Sequence, residues 1–198
     1  MGAVVLGAVA LYVLISIGVV IWAIKYARRN RRNVWRWGSG AALVMYLLVF
    51  WDHIPTLIAH KYYCENEAGF WIYMTVEQWK AENPGVMETL VHNKKVRSAR
   101  EGNMVSYTDT YFINDRFNWV VRKSGPFPFN RWRWEQEVVD AKTSTVLARY
   151  VDFSTGSGFI GGPPRMAKFW LQTDHCNRGE NNLGQMYSYQ HSVRGSEK

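Results

Sequence analysis

Two histidines and the chain's two cysteines, His60, Cys64, His175 and Cys176, are its best-equipped residues for metal or redox chemistry. A zinc ion would take thiolates and imidazoles. Neither half of the set has C-x2-C spacing, however, and adjacent His175 and Cys176 would have to turn onto one ion. A Cys64–Cys176 disulfide suits the pair better. It would close a loop of more than 100 residues, worth roughly 4–5 kcal/mol on chain entropy. No metal and no cofactor is expected.

A second set, Asp52, His53 and His60, places ionisable groups beside an apolar run. Asp52, Thr56 and His60 are spaced four apart, so on one unbroken helix face they could relay a proton or an ion. Pro55 favours a break instead, with Asp52 capping a new helix and Pro55 in its first turn. Glu135 and Glu137 could act as an acid/base pair. Alternating with Arg131 and Arg133, they read better as a charge-paired, solvated strand face. The run RWRWE has the look of a base-stacking platform, but tryptophans on one strand face point to a core, and no nucleic acid is expected. The chain has no G-x-S-x-G, no H-E-x-x-H and no C-x-x-C, so the sequence offers no catalytic set.

These groups are positioned by what precedes them. The segment 25–37, KYARRNRRNVWRW, holds Lys25, Arg28, Arg29, Arg31, Arg32 and Arg36 and no acid. Basic residues beside a membrane span resist translocation, so this bend is expected to stay in the cytoplasm. The net charge is +8, yet outside the bend 18 Lys/Arg face 16 Asp/Glu, leaving +2. The basicity is therefore a topology signal with some attraction to anionic lipid. It is not the basic face of a nucleic-acid-binding domain.

Ala3–Ile24 is apolar apart from Tyr12 and Ser16 and reaches about 33 Å as a helix, enough to span. It lacks a basic n-region and an A-x-A site, so it reads as a retained span. Trp22, Tyr26, Trp35 and Trp37 mark one interface. The second apolar run, Gly38–Trp51, reaches only about 21 Å, so its crossing is expected to continue through Asp52, His53 and Pro55 to Ala59. Two helices in residues 1–61 form a transmembrane hairpin in this reading, and 62–198 form an exported domain containing both cysteines. Outside the cytoplasm a disulfide can persist.

The exported part is expected to be α+β with an antiparallel sheet. Gly69–Thr75 reads as a strand, and Thr75 with Gln78 is a capping box opening a helix at 76–82. Asn83-Pro84 reads as a second cap with a helix to about Val91, and 92–103 as a loop. Strands are expected over 104–113, 116–123, 131–139 and 145–153, joined by short turns as a meander. Phe127 and Phe129 in 124–130, and Phe159 and Ile160 in 154–165, present apolar residues on loops and are candidate partner contacts. The tail after Leu183 is polar and is expected to be mobile or ordered by a partner.

Together these features point to a bacterial inner-membrane protein with its C-terminal domain in the periplasm. It would be a non-catalytic accessory or binding subunit of assembly, secretion or immunity type, in contact with membrane lipid and an envelope protein. An ion- or proton-coupled transport component using Asp52, His53 and His60 is the competing expectation.

Overall fold

A computed structural model describes residues 2–93, 98–156, 169–176 and 181–196. The chain divides into two compact units, Met1–Ile54 and Pro55–Lys198, so the division falls earlier than the sequence boundary after residue 61.

The first unit is a helical hairpin. Helix α1 runs Gly2–Arg29 and helix α2 runs Val34–Phe50, with Asn33 capping α2 by accepting the Arg36 N–H. Small residues let the two backbones approach: Ala23, Ala27 and Gly38 are buried, and a Cβ on Gly38 would meet Ile24 at 3.2 Å. The Tyr12 hydroxyl ties the helices by donating to the Met45 carbonyl. Many other apolar side chains of α1, such as Leu6, Leu11, Leu14 and Ile17, are exposed.

Among the described residues one helix is by itself long and apolar enough to cross a membrane, the 24-residue stretch Leu6–Arg29. The expected second span is different. α2 stops at Phe50, the chain breaks at Trp51–Asp52, and helix α3 restarts at His53–Asn66, so α2 and α3 meet the length and composition requirement only when taken as one broken pair. The cause lies in the sequence: Pro55 lacks an N–H and would clash with a carbonyl one turn back, and is tolerated only in a first turn.

The second unit is α+β. Strands β1 (Gly69–Ile72), β2 (Ser98–Gly102), β3 (Tyr107–Phe112), β4 (Phe117–Phe127), β5 (Arg131–Asp140) and β6 (Thr145–Thr155) form one antiparallel sheet. The order is β1-β6-β5-β4-β3-β2. Thus β2 to β6 are a meander in chain order, and β1 pairs on the outer side of β6. Helix α4 (Val76–Glu82) and helix α5 (Asn182–Ser192) pack on one face. There Trp79, Phe117, Val138, Leu147, Met186 and Val193 form the centre of the core. The capping box is present as expected: Thr75 Oγ1 accepts the Gln78 N–H at 3.2 Å, and Gln78 Oε1 accepts the Thr75 N–H at 2.8 Å.

Three expectations are corrected. No α-helix follows Asn83-Pro84; Asn83 instead closes α4, donating its N–H to Trp79 and Lys80 carbonyls, and Met87–Thr89 is a single 3-10 turn. Gly85 at φ +75 turns the chain out of the helical path that Pro84 could have started. The loop expected over 92–103 contains β2, whose side chains are all exposed. It therefore lacks the alternation by which strands are read. The tail is ordered as α5, whose Met186 and Tyr189, with Val193 at its C-cap, are buried at helical spacing.

Candidate binding face

The disulfide joins Cys64 at the end of α3 to Cys176, with Cα atoms 5.0 Å apart. Segment 171–176 runs along the end of β6: the Thr173 N–H donates to the Thr155 carbonyl at 3.3 Å and the Cys176 N–H to Asp152 Oδ1 at 2.9 Å. His175 Nδ1 lies 2.6 Å from Asp152 Oδ2. That hydrogen bond holds the His175 pKa above the usual imidazole range, outweighing partial burial. His60 Nε2 is 3.4 Å from Cys64 Sγ. Three of the four residues weighed for zinc, His60, Cys64 and Cys176, thus meet. Both sulfurs are bonded to each other, and His175 turns to Asp152.

The Asp52, His53 and His60 set is divided. Asp52 is buried immediately before α3, with Pro55 in that helix's first turn. His53 Nδ1 sits 2.8 Å from the Tyr46 hydroxyl, while the His60 ring lies against Cys64.

Strand parity sorts the β5 residues. Trp132, Trp134, Gln136 and Val138 share the face that carries the core, and Trp132 is buried. Lys123 Nζ stands 4.8 Å from the Trp132 ring centre and 4.7 Å from Trp134. Burial pushes its ammonium pKa down, and the indole faces stand where a counter-ion would.

The opposite face is built from Arg131, Arg133, Glu135 and Glu137 of β5, Arg122 of β4 and Arg149 of β6, in register. Arg122 pairs with Glu137, Arg149 with Glu135, and Arg133 with Glu135 at 3.5 Å. The pairing agrees with expectation, but solvation does not: Glu137 is buried, with the arginine side chains of Arg122 and Arg149 from the two neighbouring strands against it. Four arginines against Glu135, Glu137 and, in the same parity on β2, Glu101 leave this face positive. Burial depresses the Arg149 pKa, yet hydrogen bonding to Tyr73 and Glu135 and the charges of Glu135 and Glu137 raise it on balance. The Arg131 guanidinium lies 3.3 Å from the Tyr63 ring centre, with Phe127 and Phe153 at 5.2 and 5.6 Å. Its Nε and Nη1 are buried without hydrogen bonds, and burial with Arg133 nearby lowers its pKa.

Exposed aromatics border the face. Trp71, opposite Arg149 in the β1–β6 register, is 40% exposed, and Tyr73 is 58% exposed. The expected tip residues Phe127 and Phe129 are 37% and 47% exposed. Both lie in a tighter structure than a free loop: β4 continues to Phe127, and Pro128–Asn130 is a 3-10 turn. Phe159 and Ile160 lie outside the described residues. Sequence reading missed Trp71, Tyr73, Arg122 and Arg149 as members of this surface. Their signal was parity, visible only once the register of β1, β4, β5 and β6 is fixed.

No protein-family model, no curated protein and no solved structure matches this chain. One apolar helix long enough to span and one disulfide fit a membrane-anchored or exported protein.

Proposed function

We propose that this chain is a bacterial inner-membrane protein whose periplasmic α+β domain is a non-catalytic binding module for another envelope protein. In this reading α1 crosses once, the broken α2–α3 pair makes the return crossing, and the 25–37 bend is cytoplasmic. The observation that carries the binding role is the positive sheet face of Arg122, Arg131, Arg133 and Arg149, rimmed by exposed Trp71, Tyr73 and Phe127. Arginine, tryptophan and tyrosine around a partly desolvated centre are the residue types that dominate binding energy. The excess of arginine suits a partner with an acidic surface.

A photo-crosslinking side chain at Trp71 or Phe127, in native membranes, is expected to capture the same envelope protein from both positions. A probe at Glu82, on α4 across the sheet, is expected to capture none of it. Adducts that do not differ between the two faces would overturn this surface. The ion-coupled reading is favoured by one observation, the His53–Tyr46 hydrogen bond beside buried Asp52. Asp52→Asn with His53→Gln separates the two: a binding subunit retains its Trp71 crosslink and cellular activity, whereas an ion-coupled component loses activity with the crosslink intact.

A further inference from the structure

The hairpin carries an apolar groove that neither the topology nor the binding face uses. It has a volume of about 420 Å³ and lies between α1 and α2. Val19 and Ala23 form one wall and Gly40, Ala41 and Val44 the other. Gly40 leaves it open, since a Cβ there would meet nothing within 4 Å. Between Arg36 and Val44 the groove follows α2 for about 12 Å. Arg36, Trp22 and Trp37 complete the lining, and Tyr26 bridges the two indoles with ring centres 5.7 and 5.2 Å away. No Asp or Glu precedes Asp52 in the sequence, so Arg36 and the five other cations of the bend have no carboxylate of their own near in sequence.

An apolar slot of this volume, lined also by a guanidinium and two tryptophans, has the polarity profile of a diacyl phospholipid. Ligand sites of a few hundred Å³ are commonly apolar with a few placed polar groups. Guanidinium suits phosphate because its N–H donors match two oxygens at once. We infer that the groove holds one acyl chain of an anionic phospholipid, with its phosphate on Arg36. The inference rests on the reading of α1 and α2 as a membrane hairpin, and goes beyond general attraction of a basic loop to a charged surface.

The full chain in a neutral detergent micelle has no charged lipid surface, so binding there reports the groove. Native mass spectrometry with added phosphatidylglycerol or phosphatidylcholine is the measurement, with helicity and an intact Cys64–Cys176 bond as folding controls. Phosphatidylglycerol is expected to bind more tightly than phosphatidylcholine, and Arg36→Gln to weaken it more than about tenfold. Gly40→Leu, which fills the slot, should weaken both lipids. Arg31→Gln with Arg32→Gln, in the bend but outside the slot, should leave affinity within about twofold. Equal binding of the two lipids, an unaffected Gly40→Leu, or a loss from the bend variant as large as that from Arg36→Gln overturns the inference. Carbonate extraction separates this from the reading beneath it. A chain that stays with the membrane but shows no lipid preference refutes only the lipid site, whereas a chain released to the supernatant refutes the hairpin and the site together.

Discussion

Asp140 shows what single residues contribute to this domain. It is the last residue of β5, and Oδ2 receives the Trp79 Nε1–H at 2.9 Å and the Arg116 Nε–H at 2.9 Å, while Oδ1 accepts the Lys142 and Thr143 backbone N–H groups. One buried carboxylate thus closes the β5–β6 turn, anchors α4 and neutralises a nearly buried arginine. Burial pushes its pKa up, but these hydrogen bonds outweigh it and hold the carboxyl below its usual range. Its stabilisation is therefore complete above the ordinary carboxylate pKa of about 3.9 and is lost as pH falls through the depressed native value. Asp140→Ala should destabilise the domain by about 3–5 kcal/mol at neutral pH, as expected for a broken buried pair. Urea unfolding at pH 7 and below pH 4 checks this, and the difference between wild type and variant should shrink in acid. An undiminished difference in acid would mean that packing, not charge, is what Asp140 provides. None of this was legible in the sequence, where Asp140 reads only as a turn residue. Trp79 and Arg116 reach it through tertiary contact alone.

Among the elements, those carried by local pattern were legible and those carried by pairing were not. The capping box at Thr75 and Gln78 fixed the start of α4 because both bonds are local. β4, β5 and β6 lie where alternation places them. β2 was unreadable because it has no buried side chain; it is a strand through its pairing with β3 and the Arg100–Asp109 ion pair at 2.6 Å. α5 had a readable stripe at Met186, Tyr189 and Val193, masked by its polar neighbours. Tyr189 confirms how firmly this helix docks: its hydroxyl donates to the Met74 carbonyl at 2.5 Å, and burial pushes its pKa up to about 12. The disulfide links residues 112 apart in sequence, tying α3 to the strand-like segment beside β6. Replacing both Cys64 and Cys176 by Ser should lower stability by roughly 4–5 kcal/mol on chain-entropy grounds, read from the denaturant midpoint and slope together, with the slope rising because the unlinked unfolded chain exposes more surface. A shift under about 1 kcal/mol would show that the neighbouring contacts, Tyr63 on Phe153 and Cys176 on Asp152, hold α3 without the covalent bond.

For the whole molecule the decisive property is charge placement. All six cations of segment 25–37 lie at one bend, and no acid precedes residue 52. In the proposed topology this bend stays cytoplasmic and the α+β domain is exported. The disulfide agrees with an oxidising compartment, and the exposed apolar surface of α1 with a lipid surround. The long apolar helix and the Cys64–Cys176 pairing were the most legible features of the sequence, since hydropathy and cysteine count are read without tertiary structure. The proposed binding face was the least legible, because it exists only when four strands are in register.

The most direct test of the exported domain uses single added cysteines while the native disulfide stays closed, so that the added thiol alone reacts. Glu101→Cys on exposed β2 and Arg31→Cys in the bend are labelled with a bulky, membrane-impermeant maleimide in cells whose outer membrane has been opened. Glu101→Cys is expected to label before lysis and Arg31→Cys only after the inner membrane is disrupted. Labelling in the reverse order would place the domain in the cytoplasm and contradict the topology.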